Sequence, residues 1–66
     1  MDTMKRVGEL AEEHGLSMFQ LSQLCGIPYT TLKSTRARHG QLGVDTIERV
    51  CMGLNISMSG FFDVRQ

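Results

Sequence analysis

No aspartate or glutamate occurs from His14 to Val44, a stretch that carries Lys33, Arg36 and Arg38 and so stands at +3. The acids gather at the two ends of the chain. Residues 1–13 hold Asp2, Glu9, Glu12 and Glu13 against Lys5 and Arg6, a balance of −2. Residues 45–66 hold Asp45, Glu48 and Asp63 against Arg49 and Arg65, a balance of −1. The 66 residues therefore sum to zero. A zero balance argues against a nucleic-acid partner when taken over the whole chain, because such domains are usually basic. Taken by segment, it conceals a basic middle.

Other scarcities exclude other classes. The two cysteines, Cys25 and Cys51, are too few to staple a miniprotein. One proline, Pro28, and no Val/Ile/Thr-rich alternating run leave strands without support. No apolar run approaches the ~20 residues needed to span a bilayer. Met1–Arg6 lacks the apolar segment of a signal peptide, so a cytoplasmic setting is expected. A chain this short buries only about 60% of its unfolded surface. The expectation is one domain over residues 1–66, all-α and compact, for which a second subunit would add core.

Helical spacing recurs. Val7, Leu10, Ala11 and His14 follow i, i+3, i+4, i+7 and predict a helix over about residues 3–14, stopped at Gly15. His14 suits the negative end of that helix. Ser17 and Gln20 form an S-x-x-Q capping box, with Leu16 and Leu21 spaced as a hydrophobic staple. Met18, Leu21, Leu24 and Cys25 form the apolar face of a second helix, which ends at Gly26. Met18 and Phe19 are adjacent and cannot both face inward, so one of them is expected outside. Pro28 suits the start of a third helix running to about Arg36.

That third helix has one strong core residue, Leu32, with Thr35 after it; Tyr29, Thr30, Thr31, Lys33, Ser34 and Arg36 are polar. Residues 37–43 read as a loop broken by Gly40 and Gly43. Val44, Ile47, Val50, Cys51 and Leu54 form the face of a fourth helix, with Asp45 and Glu48 near its positive end and Asn55 suited to its stop. Ser57 caps a short fifth helix expected to bury Met58, Phe61 and Phe62. The five methionines are expected mostly to fill the core.

Catalysis finds no support. There is no nucleophile–base pair, no phosphate-cradling glycine loop, and little volume for a pocket. Glu12 and Glu13 are neighbours that diverge by about 100° on a helix, so they are not a dyad. Cys25 and Cys51 lie on apolar faces, and neither C-x-x-C nor H-x₃-H spacing links them to His14 or His39. Buried packing is the expectation for both thiols, with no metal and no cofactor.

Two short helices joined by a tight Cys-Gly-Ile turn, the second polar outward, make a helix-turn-helix over about residues 17–36. Ser22 is small where the helices must approach, Gly26 permits a left-handed turn, and Ile27 and Leu32 plug the second helix onto the core. At these residues the chain resembles the phage-repressor, Cro-type (XRE-like) family of helix-turn-helix regulators. The matching residues are Gly15-Leu16-Ser17, Leu21-Ser22, Gly26-Ile27, Thr31-Leu32, the run Asp45 to Cys51, Leu54-Asn55-Ile56-Ser57 and Phe61-Phe62. They cover about Val7 to Phe62.

The resemblance implies a five-helix lambda-repressor-like domain that binds double-stranded DNA. Its third helix, through Pro28, Tyr29, Thr30, Lys33 and Ser34, would face base edges, with Thr31 on the same polar surface. Threonine and serine can donate or accept there, and the threonine methyl can meet a thymine methyl. Lys33, Arg36, Arg38 and His39 would stand at phosphates, which position without specifying. The same resemblance implies a homodimer joined around Met58, Phe61 and Phe62, acting as a transcriptional repressor. This chain departs from the family pattern at four places. Met18 stands where the family has Gln, Thr35 where it has a larger apolar residue, Ala11 and Arg36 where it has an Arg–Glu pair, and Leu42 where it has Pro. Two alternatives remain open: a solvated charge run over Lys33–His39, and an adaptor or antitoxin-like subunit that mainly binds another protein.

Overall fold

In the computed structural model, which describes residues 1–63, the chain forms α1 (Thr3–Glu13), α2 (Met18–Cys25), α3 (Tyr29–Ala37), α4 (Val44–Leu54) and α5 (Met58–Phe62), with no strand among the described residues. The radius of gyration of 10.6 Å matches the ~11 Å expected of a compact chain of this length.

The helices stop by one device used four times. A residue with positive φ follows the last turn, and the N–H after it donates to a carbonyl five residues back. Gly15 (φ 67°) precedes Leu16 N–H to Ala11 O at 2.8 Å, and Gly26 (φ 67°) precedes Ile27 N–H to Ser22 O at 2.9 Å. His39 (φ 53°) precedes Gly40 N–H to Thr35 O at 2.9 Å, and Asn55 (φ 56°) precedes Ile56 N–H to Cys51 O at 2.9 Å. The third stop differs from the sequence expectation: His39 takes the left-handed position, while Gly40 next to it only donates. The starts are equally local. Asp2 accepts from Lys5 N–H at 3.1 Å. Ser17 and Gln20 exchange both bonds of the capping box, at 2.9 and 3.1 Å. Ser57 accepts from Gly60 N–H at 2.9 Å.

The core joins all five helices: Met4, Val7, Leu10 and Ala11, then Leu21 and Cys25, Ile27 in the turn, Leu32, Leu42, and Ile47, Val50, Cys51, Leu54 and Phe61. Leu16, Met18 and Ile56 pack half-buried against it. Several expected core residues lie outside. Leu24 is 56% exposed and Ser22 is 2% exposed. At about 100° per residue, Leu21, Ser22 and Cys25 share an arc from which Leu24 points away. Val44 is 63% exposed because it occupies the first position of α4, beyond the packed stretch. Phe61 is fully buried, whereas Phe62, its immediate successor, points to another face and is exposed; Met58, at the first position of α5, is exposed as well. Of the methionines only Met4 is buried, with Met18 partly so; Met1, Met52 and Met58 are exposed. His14 stands at the negative end of α1 as expected: it is exposed and caps the helix, its Nδ1 lying 2.9 Å from Leu10 O.

Two polar ties hold the first helix to distant parts of the chain. Thr3 donates from its N–H and its hydroxyl to Gln41 Oε1, at 2.9 and 2.8 Å, and its Oγ1 accepts from Leu42 N–H at 2.8 Å. Arg6 is buried and donates to Phe61 O and, at 3.0 Å, to Gly60 O in α5. Its pairing with Glu9 at 3.5 Å is the one ion pair among the described residues. Arg36, which stands where the family's pattern has a glutamate, forms no ion pair with the nearby Glu12.

Candidate nucleic-acid interface

The segment that could meet a partner begins at the α2–α3 turn. The left-handed Gly26 reverses the chain after α2, and its carbonyl accepts from Arg49 Nη1 of α4 at 3.2 Å. Ile27 drops into the core, and Pro28 (φ −58°) opens α3 with its carbonyl accepting from Thr31 N–H at 3.0 Å. Behind this turn α2 crosses α4 closely: a Cβ on Gly53 would stand 2.8 Å from Cys25 Cα. The unit of α2, the turn and α3 is therefore seated on α4 at a contact that leaves no room for a side chain.

α3 commits two side chains to that seat, Leu32 and Thr35, at 1% and 5% exposure. Thr35 thus occupies the second anchoring position one turn after Leu32, small as it is. All nine candidate residues lie outside: Pro28, Tyr29, Thr30, Thr31, Lys33, Ser34, Arg36, Arg38 and His39 are exposed. They do not form one surface. At about 100° per residue, Thr30, Lys33 and Ser34 point away from the core, with Tyr29 and Arg36 on one flank and Thr31 on the other. Arg36 and His39 line an open groove against α1, shared with Asp2, Lys5, Glu12 and Met18. The carboxylates there offset part of the cationic charge. Arg38 and His39 belong to a loop whose far end is pinned by Thr3 through Gln41 and Leu42.

One member of this surface was not among the candidates. Phe19, the outward neighbour of Met18, is 51% exposed and meets Tyr29 edge-to-face, with centroids 5.4 Å apart and ring planes at 85°. Lys33 Nζ lies 5.8 Å from the Tyr29 ring centroid. The aromatic pair contributes about 0.5–1.5 kcal/mol beyond the area it buries. The capping box had already placed Phe19 in the first turn of α2; its contact across to α3 needed the helix crossing.

The two thiols belong to the core and not to this surface. Cys25 Sγ–H points to Val50 O and Cys51 Sγ–H to Ser57 O, both at 3.8 Å. Burial pushes both thiols above the usual cysteine range, with the neighbouring Cys51 adding to the shift of Cys25. For Cys51, a backbone hydrogen bond partly opposes burial, and Glu48 adds to it. A thiol held protonated is a poor nucleophile. In the native protein, both cysteines are expected to react with a thiol reagent more than ~100-fold more slowly than in denaturant, since labelling must wait for opening. Labelling of either at the denatured rate, followed by mass spectrometry, would show that it is accessible.

No three His, Cys, Asp or Glu side chains converge on a metal-sized site among the described residues. No helix among them is long and apolar enough to cross a membrane. No family model, curated protein or solved structure matches the chain.

Proposed function

We propose that this chain is a sequence-specific DNA-binding transcriptional regulator, a repressor of the phage-repressor, Cro-type (XRE-like) kind with a lambda-repressor-like fold. In this reading it acts in the cytoplasm and reads the major groove with α3. The observation that carries the reading is the division of labour within α3. Two residues hold it to the core, and the rest of the helix, Ala37 aside, is polar or cationic, exposed, and inside a stretch without a single acid. An α-helix is about 10–12 Å across with its side chains and suits a groove about 12 Å wide. Thr30 and Ser34 face the base edges, Tyr29 flanks them, Lys33 reaches from the same face to a phosphate, and Arg36, Arg38 and His39 stand toward the phosphates. No catalytic step and no cofactor enter this function.

Two protomers would place their α3 helices in successive major grooves, about 34 Å apart. Domains measuring 26 × 22 × 21 Å can abut at that spacing. The pairing surface contains Met58 and Phe62 without Phe61, whose full burial removes it from any contact between subunits.

Fluorescence anisotropy with a random-sequence duplex at two salt concentrations tests the reading. If Lys33, Arg36 and Arg38 each neutralise one phosphate, log K falls with log salt at a slope of about −3 per protomer. Lys33→Ala and Arg38→Ala should each weaken binding and reduce that slope by about 1. No binding at low salt would overturn the proposal. The second reading, a protein-interaction adaptor or antitoxin-like subunit, would then stand on the exposed Leu24, Val44, Met52 and Phe62.

A further inference from the structure

An apolar ring at the edge of a polar, cationic surface is the feature the helix-turn-helix reading leaves unused. Phe19 keeps half its surface in solvent in the first turn of α2, beside the half-buried Met18. Its ring meets Tyr29 at right angles, while Lys33 Nζ lies over the Tyr29 ring. Tyr29 is thus held by two neighbours before any ligand arrives, so presenting it costs little further ordering. Beside it, Thr30 adds a methyl group on the exposed face of the same turn. The result is a small apolar edge next to an ammonium, on a stretch without carboxylates.

From this juxtaposition we propose that Phe19, together with Tyr29, is a specificity-determining residue that receives the 5-methyl group of a thymine in the major groove. The inference rests on the DNA-binding reading above and deepens it. The chemistry matches on both sides. The thymine methyl is the one apolar group that the four base pairs project into the major groove, and it lies within reach of the phosphates that an ammonium such as that of Lys33 attracts. Phe19 has two tasks here: it fixes the Tyr29 ring against α2, and it supplies the flank of the methyl contact. A purely structural role would affect folding and leave base preference alone, which separates the two.

The test takes a duplex selected by the protein from a random-sequence pool and replaces its thymines one at a time by uracil, which lacks only the 5-methyl group. At one position or more, the wild-type chain is expected to lose about 4-fold in affinity, the worth of one buried methyl. Phe19→Ala should bind thymine and uracil equally at that position, with an unchanged far-UV circular dichroism spectrum, and Phe19→Leu should recover part of the discrimination. Salt-sensitive binding that ignores every thymine-to-uracil change would overturn this inference and leave the DNA-binding reading intact. Discrimination that survives in Phe19→Ala would overturn the assignment to Phe19. Tighter binding to the separated single strand than to the duplex would replace the methyl contact with base stacking. No selected duplex at all would overturn both this inference and the reading beneath it.

Discussion

Gly53→Ala lowers the melting temperature by roughly 8–16 °C, whereas the same substitution at Gly8 raises it by a few degrees. Both glycines lie inside helices, where alanine gains about 1 kcal/mol from propensity. The space around them differs. A Cβ at Gly8 meets nothing within 4 Å, but one at Gly53 stands 2.5 Å from Cys25 Sγ, 2.8 Å from its Cα and 3.0 Å from its Cβ. The thiol could swing aside; the Cα could move only with the whole of α2. Overpacking of this kind costs up to about 3 kcal/mol, so the net loss at Gly53 is about 2 kcal/mol, and each kcal/mol shifts the melting temperature of so small a domain by about 4–8 °C. Thermal denaturation followed by circular dichroism measures both variants. A Gly53→Ala protein as stable as the parent would mean that α2 and α4 cross less closely than described. Because that crossing seats α2 and the turn into α3, the variant should also lose duplex affinity beyond what its folded fraction accounts for.

Arg6→Ala is expected to cost about 2–4 kcal/mol. Arg6 is 9% exposed, and its guanidinium donates to the carbonyls of Phe61 and Gly60 at the end of α5, the terminus where a positive charge is favoured. Hydrogen bonds to a charged group contribute roughly 1.5–3 kcal/mol, and removing the donor also strips partners from partly buried carbonyls. Arg6→Lys should recover less than half of the loss, since a lysine ammonium lacks the planar fork that bonds two carbonyls at once. The surface pairing with Glu9, whose side chain is 42% exposed, contributes little, so Glu9→Gln should be nearly silent. Urea denaturation of the three variants separates these effects. Near-wild-type stability in Arg6→Ala would show that α5 is held by Phe61 packing alone. Loss of α5 docking in this variant would also move Met58 and Phe62, the exposed apolar residues of the proposed subunit contact.

Features decided within one or two turns were legible in the sequence. The capping box at Ser17 and Gln20, the stops at Gly15, Gly26 and Asn55, and the outward position of one of Met18 and Phe19 all follow from bonds or angles between residues at most five apart. The candidate residues on α3 were legible as exposed for a related reason: a helix with Leu32 and Thr35 as its inward residues leaves the others no other direction. Leu24 is apolar and yet faces solvent, because apolar character does not by itself fix direction. In a two-turn helix the neighbouring elements choose which arc is covered, and they cover the one that includes Ser22.

The primary structure alone therefore determined five helices, their ends except the stop of α3, and the acid-free polar face of α3, because hydrogen-bond geometry and side-chain periodicity act over short stretches of chain. Tertiary structure decided which glycine has no room for a side chain, that Arg6 is buried, that Phe61 and not Phe62 fills the core, and that Phe19 meets Tyr29. Each of these depends on an atom from another helix, up to 55 residues away. The absence of acid between His14 and Val44 is local in the same sense, yet its consequence was settled in three dimensions. Folding brings Asp2, which caps α1, and Glu12 within it into the groove beside Arg36 and His39 and leaves Lys33, beside Tyr29, on the outward face.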